Sequence, residues 1–403
     1  MKSVSRRQWS RWQWAVAGLT IGVLVVVSGF VWRTVTATVT MVPSWTRNVG
    51  LGASAAPAVA DGVVYVLNSE DSMYALDTAS GGQRWTHKLP RVPVIGYSEP
   101  VVAGGVVYTT SDGRMYALDA ATGEQRWTHE TRHRASVDFS PVVAGDAVYF
   151  ADETGRAYAL DTATGKQRWT YETGGRGFKP VVAGDAVYVG DEVGRVHALD
   201  AATGGQRWTH ETRHRARVDF SPVVAGDDVY FADETGRAYA LDTATGKQRW
   251  TSRIGSGPYV SPVVVGGVVY IANTKVYALD TVTGERRWTS EAGGPCVSAM
   301  SAGGVVYVRN AEGKMYALDA ATGGQRWTYE VSRGDHSDPV VADGVVYLDD
   351  DNENKVHALD AATGEQRWIY ETGSGIFRPV VADGVVYIFT IGATVHAVRA
   401  TTG

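Results

Sequence analysis

From Pro57 to the C-terminus, apolar and polar positions alternate in short runs that never reach the length or the three-to-four spacing of an amphipathic helix. The stretch from Pro100 to Trp127, PVVAGGVVYTTSDGRMYALDAATGEQRW, shows the unit. PVVA, VVYTT and RMYALD carry the Val, Tyr and Thr content of strands, AGG and DAATGE are turn sequences, and QRWTHE begins a fourth strand. A four-stranded unit recurring about every forty residues is the period of a propeller blade. The predicted fold class is therefore an all-β propeller.

A Trp closes each unit, at Trp85, Trp127, Trp169, Trp208, Trp250, Trp288, Trp327 and Trp368, always eight residues after an Asp. Trp45 stands alone before the first unit, while the chain ends at HAVRATTG with three strands and no Trp. The two termini complement each other: residues 44–49 are expected to supply the outer strand of the last blade, closing the ring and removing free sheet edges. That gives nine four-stranded blades, with eight closed blades as the alternative. Recurrence at one position in every unit assigns the nine Trp residues to blade-to-blade docking rather than to ligand stacking. Each indole buries on the order of 150–250 Å². Residues 127–170 and 208–251 are the same text except that Ser136 becomes Arg217 and Ala147 becomes Asp228. A two-blade block that can be copied argues against a function resting on one irreplaceable constellation.

The N-terminus has a different pattern. No acid occurs in the first 43 residues, and no charge at all from Trp12 to Trp32. Twenty-one residues in a helix span about 32 Å, enough for a hydrocarbon core of about 30 Å. Trp12, Trp14 and Trp32 occupy interfacial positions. Lys2, Arg6, Arg7 and Arg11 precede the span and Arg33 alone closely follows it, so residues 1–11 form a cytoplasmic tail, 12–32 a transmembrane signal anchor and 33–43 a linker. Residues 44–403 then form an extracytoplasmic propeller at the cell membrane. A cleaved signal peptide is the competing reading, although Thr34 to Pro43 offers no A-x-A-like site.

Loop lengths separate two faces. Pro57 to Tyr65, Pro222 to Tyr230 and Pro379 to Tyr387 are all eight residues apart, and the Asp-to-Trp interval is equally fixed. The interval across the second and third strands instead runs from seven (Tyr270 to Tyr277) to ten (Tyr347 to His357). In an up-and-down blade the variable loops share one face, where binding is usually found. That face carries Arg132, His133 and Arg134, their copies Arg213, His214 and Arg215, the run from Asp349 to Asn354, and the turns at Asp152, Asp191 and Asp233, all expected to be solvated. At the channel, the residue before each first strand is Ala56, Glu99, Ser140, Lys179, Ser221, Ser261, Ser298, Asp338 or Arg378, with Phe139, Phe178, Phe220 and Phe377 preceding several of them. Glu99, Lys179, Asp338, Arg378 and the four Phe residues are the candidate site for a partner protein, small ligand or peptide. Mutual neutralisation of the inward charges is the competing account.

The chain has 38 Lys and Arg against 43 Asp and Glu; setting aside the five cations around the span leaves 33 against 43, so nucleic acid is not an expected partner. The only Cys is Cys296, read as a loop residue, which rules out an intrachain disulfide. No nucleophile–base constellation, metal-ligand spacing or phosphate loop is present, so no catalytic or metal residue is assigned and no cofactor is expected.

The A-L-D-x-x-T-G-x-x-x-W pattern, as in ALDAATGEQRW, resembles the PQQ-like (pyrroloquinoline-quinone-type) repeat family of β-propellers from Trp45 onward. The resemblance implies the fold, and within that family both quinoprotein dehydrogenases and non-enzymatic interaction modules occur. The alcohol and methanol dehydrogenases of the family carry two adjacent Cys and long Ca²⁺-bearing insertions, and this chain has one Cys and units of minimal length. The expected function is a non-catalytic scaffold or ligand-binding module, with a PQQ-dependent dehydrogenase as the alternative.

Overall fold

The computed structural model describes residues 41–52, 55–90, 99–137, 139–218, 221–255, 260–333 and 337–399. It contains nine four-stranded antiparallel sheets, eight of them with their strands in sequence order and the ninth completed by the first strand of the chain. Blade one consists of Ala58–Ala60, Val63–Leu67, Ser72–Asp77 and Gln83–Lys88. Blades two to eight follow at 101–130, 142–172, 181–211, 223–253, 263–291, 296–330 and 340–371. The ninth takes three strands from 380–399 and its outer strand from Trp45–Asn48, which pairs antiparallel with Thr394–Arg399. Helical structure among the described residues is confined to two 3-10 turns, Arg132–Arg134 and Arg213–Arg215. No described helix is long and apolar enough to cross a membrane. The span expected at 12–32 lies outside the described residues.

The repeated motif builds one turn and one lock. In blade two, Asp119 Oδ1 accepts from the backbone N–H of Ala121 and Thr122 at 3.0 and 2.9 Å and from the Thr122 hydroxyl at 3.2 Å, while Arg126 donates to Oδ2 at 2.6 Å. The Arg126 guanidinium holds the Asp119 carboxyl down at about 2. Gly123 follows at φ +74°, and a Cβ there would stand 2.5 Å from the Trp85 ring of the preceding blade. Glycine is required twice, by the left-handed backbone and by the indole lying on it. Eight indole N–H groups, from Trp45 to Trp327, donate at 2.8–3.0 Å to a carbonyl one residue after the motif Asp of the next blade. Trp45 makes this bond to Thr78 of blade one, so the closing junction uses the same lock as the others.

The core is a ring of nine clusters, each spanning one blade junction. The cluster across the closure joins Val64, Val66 and Leu76 to Tyr387, Phe389 and Val395. Above the indole lock, five junctions pair one Tyr with one His at ring-centroid separations of 5.4–6.0 Å. The order inverts between junctions: an outer-strand His meets a third-strand Tyr at His129–Tyr158 and His210–Tyr239, and an outer-strand Tyr meets a third-strand His at Tyr171–His197, Tyr329–His357 and Tyr370–His396. The three His residues that stand in the place of third-strand Tyr thus keep a matched partner across the junction.

Blade seven departs from the unit. Ala299 occupies the place that Pro100, Pro141 and their equivalents hold elsewhere. Without a residue lacking N–H, the first strand extends to seven residues, Cys296–Ala302, against three in Val101–Ala103. Cys296, expected in a loop, is therefore a buried strand residue whose thiol is pushed up to about 12 by burial. Ser298, expected at the channel mouth, is drawn into the same strand opposite Arg309 and is 1% exposed.

Candidate functional site

The nine first strands stand side by side around the axis, and their N-terminal ends open on the same face as the turns between second and third strands. Arg378 of blade nine reaches across Ala56 of blade one to Glu99 of blade two, with N–H to Oε2 at 3.2 Å. Ala56 is buried and small, which leaves room for that bridge. Glu99 and Arg378 neutralise each other, but the other two mouth charges are left out. Asp338 has neither ion pair nor hydrogen bond among the described residues; desolvation raises its pKa, Arg378 partly offsets this, and Glu99 and Asp349 add to it. Its side chain is exposed all the same, so the desolvation is partial. Lys179 is exposed, and among the described residues only its carbonyl is engaged, by the Ser221 hydroxyl at 2.8 Å.

The aromatic members of the candidate site divide. Phe139 and Phe178 lie with ring centroids 6.1 Å apart, and Phe377 lies 6.4 Å from Phe389. Phe178 is buried, so its ring contributes to the junction more than to the mouth. Phe220 lies outside the described residues.

The acidic turns on this face are only partly the solvated tips expected: Glu153, Glu192, Glu234, Asn352 and Glu353 are exposed, but the aspartates are not. Asp152, Asp191, Asp233, Asp349 and Asp350 are all 2% exposed or less. Asp152 Oδ1 accepts from the N–H groups of Thr154 and Arg156, and its Oδ2 accepts from the Tyr158 hydroxyl at 2.9 Å. Asp349 holds Arg309 of the preceding blade in a fully buried pair at 2.8 Å, with a second bond from Arg309 to the Asp349 carbonyl at 2.6 Å. These acids organise turns and junctions through internal donors. The basic triplet Arg132–Arg134 is exposed, as expected, and its arginines lie 3.5–3.7 Å from Glu172, Asp112 and Glu130. Among the described residues no group of three or more His, Cys, Asp or Glu could hold a metal ion.

Sequence reasoning missed a cleft of about 590 Å³ between blades five and six, lined by Arg253, Ile254, Gly255, Lys275, Tyr277, Arg286, Thr289 and Glu291. Its signal was present in the chain. Arg253 stands where six other units carry Glu, Arg286 where every other complete unit carries Gln, and Ser252 where six other units carry His or Tyr and only blade six repeats the Ser, at Ser290.

The family model described as outer membrane protein assembly factor BamB matches residues 27–177, 172–295 and 272–403. BamB from Moraxella catarrhalis is similar in structure, with a TM-score of 0.60, 20% identity, and 89% of this chain and 97% of that one covered. The quinohemoprotein alcohol dehydrogenase of Comamonas testosteroni is similar at a TM-score of 0.61 and 18% identity, covering 90% of this chain and 77% of the enzyme. The computationally designed Ika8 protein is similar at a TM-score of 0.63 and 12% identity, covering 90% and 99%. No curated protein sequence matches the chain. At these identities the structural neighbours speak for the fold, whereas the sequence model spans the repeats from end to end: the chain belongs to the BamB-like family of PQQ-repeat β-propellers.

Proposed function

We propose that this chain is a non-catalytic interaction module, a propeller held at the extracytoplasmic side of the cell membrane by residues 12–32 that binds other proteins through its loop-bearing face. The observation that carries the reading is the channel mouth. A desolvated Asp338 and an exposed Lys179, neither in an ion pair among the described residues, sit on the face whose loops vary in length. A carboxylate that is partly desolvated and unpaired costs some folding stability, which a partner bringing a donor would recover. The family's description as an assembly factor supports a protein partner. The apolar run from Trp12 to Trp32 and the cations before it support the anchor and its orientation.

The test uses the full-length protein in native membranes with a photocrosslinking residue at Ser140, beside the mouth. The expected result is a discrete crosslinked protein that disappears in the double variant Lys179→Glu, Arg378→Glu. Crosslinking unchanged by the charge reversal would remove the mouth from the proposal. The dehydrogenase reading rests on fold likeness to quinohemoprotein enzymes. Against it stand the absence, among the described residues, of any group of three or more His, Cys, Asp or Glu that could hold a metal ion, and a buried Cys296 with no second Cys in the chain. Dye reduction by the full-length protein given PQQ, Ca²⁺ and an alcohol would overturn the non-catalytic assignment.

A further inference from the structure

Three departures from this chain's own repeat converge on the cleft between blades five and six. The first is one of charge. The last residue of the outer strand faces the first residue of the third strand in the same blade, and the pairing is Arg156 with Glu172, Arg195 with Glu211, Lys275 with Glu291 and Lys314 with Glu330. In blade five the same register sets Arg237 directly opposite Arg253. Like charges in that position are destabilising. The second departure is Arg286, which replaces the usual Gln; it donates to the Arg253 carbonyl at 2.7 Å and lays its guanidinium over the Tyr277 ring, 5.2 Å from the centroid. The third is Ser252, which makes no ring contact with Tyr277 as His210 does with Tyr239 one junction earlier, so that Tyr277, still buried, is covered by Arg286 instead.

Together they leave an open, cationic cleft with an aromatic wall. Its lining holds Arg253, Lys275 and Arg286 against a single acid, Glu291, and Glu291 is already bound to Lys275 at 2.7 Å. Arg253 and Arg286 have no acidic partner among the described residues, whereas the arginines of the Arg132–Arg134 turn each have one or two nearby. Two guanidinium forks presented without a carboxylate, one of them held flat by a ring, suit a ligand that brings carboxylates of its own. The volume of about 590 Å³ is in the range of a recognition pocket. Arg253, Arg286, Thr289 and Glu291 are all exposed, so the cleft is open along the blade rim and fits an extended chain passing through it better than an enclosed small molecule.

We propose that this cleft binds an acidic peptide segment of a partner protein, with Arg253 and Arg286 holding its carboxylates and Tyr277 supporting the Arg286 guanidinium. The proposal deepens the reading of the chain as a protein-binding module and rests on it, but the site is separate from the channel mouth.

The test is fluorescence anisotropy of fluorescein-labelled hexaglutamate with the full-length protein at low ionic strength. The double variant Arg253→Glu, Arg286→Gln should lose at least tenfold in affinity, while Lys247→Gln, an exposed cation on the opposite face of blade five, should bind as the parent does. Arg253→Glu alone restores the acid opposite Arg237, so it should weaken binding while Tm stays level or rises by about 1 °C. A purely structural role for Arg253 predicts the reverse, a fall in Tm. Undiminished binding by the double variant overturns the proposal. So does a parent protein that binds inorganic phosphate or free glutamate as tightly as hexaglutamate, which would make the cleft a small-anion site. Preferential binding to phosphatidylglycerol vesicles, lost in the same variant, would assign it to a membrane surface instead. Because Lys179 and Arg378 are untouched, loss of hexaglutamate binding with crosslinking at the mouth intact separates the failure of one reading from that of the other.

Discussion

The junctions between blades four and five and between blades five and six use the same lock and differ in what covers the third-strand Tyr above it. Trp208 lies on Gly246 and donates to the Thr243 carbonyl at 2.8 Å; Trp250 lies on Gly284 and donates to the Thr281 carbonyl at 2.8 Å. Above the first, His210 covers Tyr239, whose hydroxyl donates to the buried Asp233 at 2.6 Å. Above the second, Ser252 leaves Tyr277 to Arg286, and Asn273 takes the aspartate's place. The difference teaches that ring closure is assigned to the indole, glycine and motif Asp, while the layer nearer the loop-bearing face can change without opening the ring. Departures from the repeat in that upper layer are where function is to be sought.

The comparison breaks first, and most heavily, at the lock. Trp208→Ala and Trp250→Ala should each cost about 3–5 kcal/mol, by equal amounts, in chemical denaturation of the full-length protein. Unequal costs would mean that the upper layer carries part of the docking. Both junctions also share the Asp–Arg turn, and seven motif carboxyls, among them Asp119, Asp200 and Asp280, are held at about 2, first by the paired arginine. Their folded pKa lies below the unfolded one, so the stability they lend is present above pH 4 and is lost as pH falls from 4 toward 2. His396, lowered to about 4 by burial, adds a loss that begins nearer pH 6.5. A thermal melt series from pH 7 to pH 2 should show both steps, and His396→Gln should shrink the upper one, the remainder coming from His129, His210 and His357, which burial also lowers.

Filling the open junction sharpens the contrast further. Ser252→His should let an imidazole meet Tyr277 as His210 meets Tyr239 and raise stability by about 1 kcal/mol, while His210→Ser should lower it by a similar amount. Equal Tm for both variants and the parent would deny the ring pairs any role in docking. The smallest effect belongs to the mouth. Asp338 has a raised folded pKa, so its carboxylate opposes folding above the unfolded pKa and ceases to do so when protonated. Asp338→Asn should give a small rise in Tm at pH 7 and none at pH 3.

Most of the architecture was legible because each blade is made by strands that neighbour one another in sequence, and a residue recurring every forty positions reports the same environment each time. Trp45 and the missing final strand announced the closure for the same reason: an unpaired member of a regular set must pair with the gap. The burial of Asp152 and Asp349, the Glu99–Arg378 bridge and the Arg253–Arg286 cleft were not legible. Hairpin chemistry favours Asp whether the turn is solvated or buried, and what covers it comes from the neighbouring blade. Glu99 and Arg378 are 279 residues apart in the chain and meet only because the ring closes.

The sequence alone therefore determined the repeating unit and the family, which each unit states within its own forty residues, and pointed to nine blades and to the seal through the unpaired Trp45, leaving eight blades open until the sheets were seen. Tertiary structure decided which charges are spent on each other and which remain for a partner, because that depends on side chains from separate blades meeting across junctions. A local pattern can specify a surface, but only the assembled ring sets what stands opposite it.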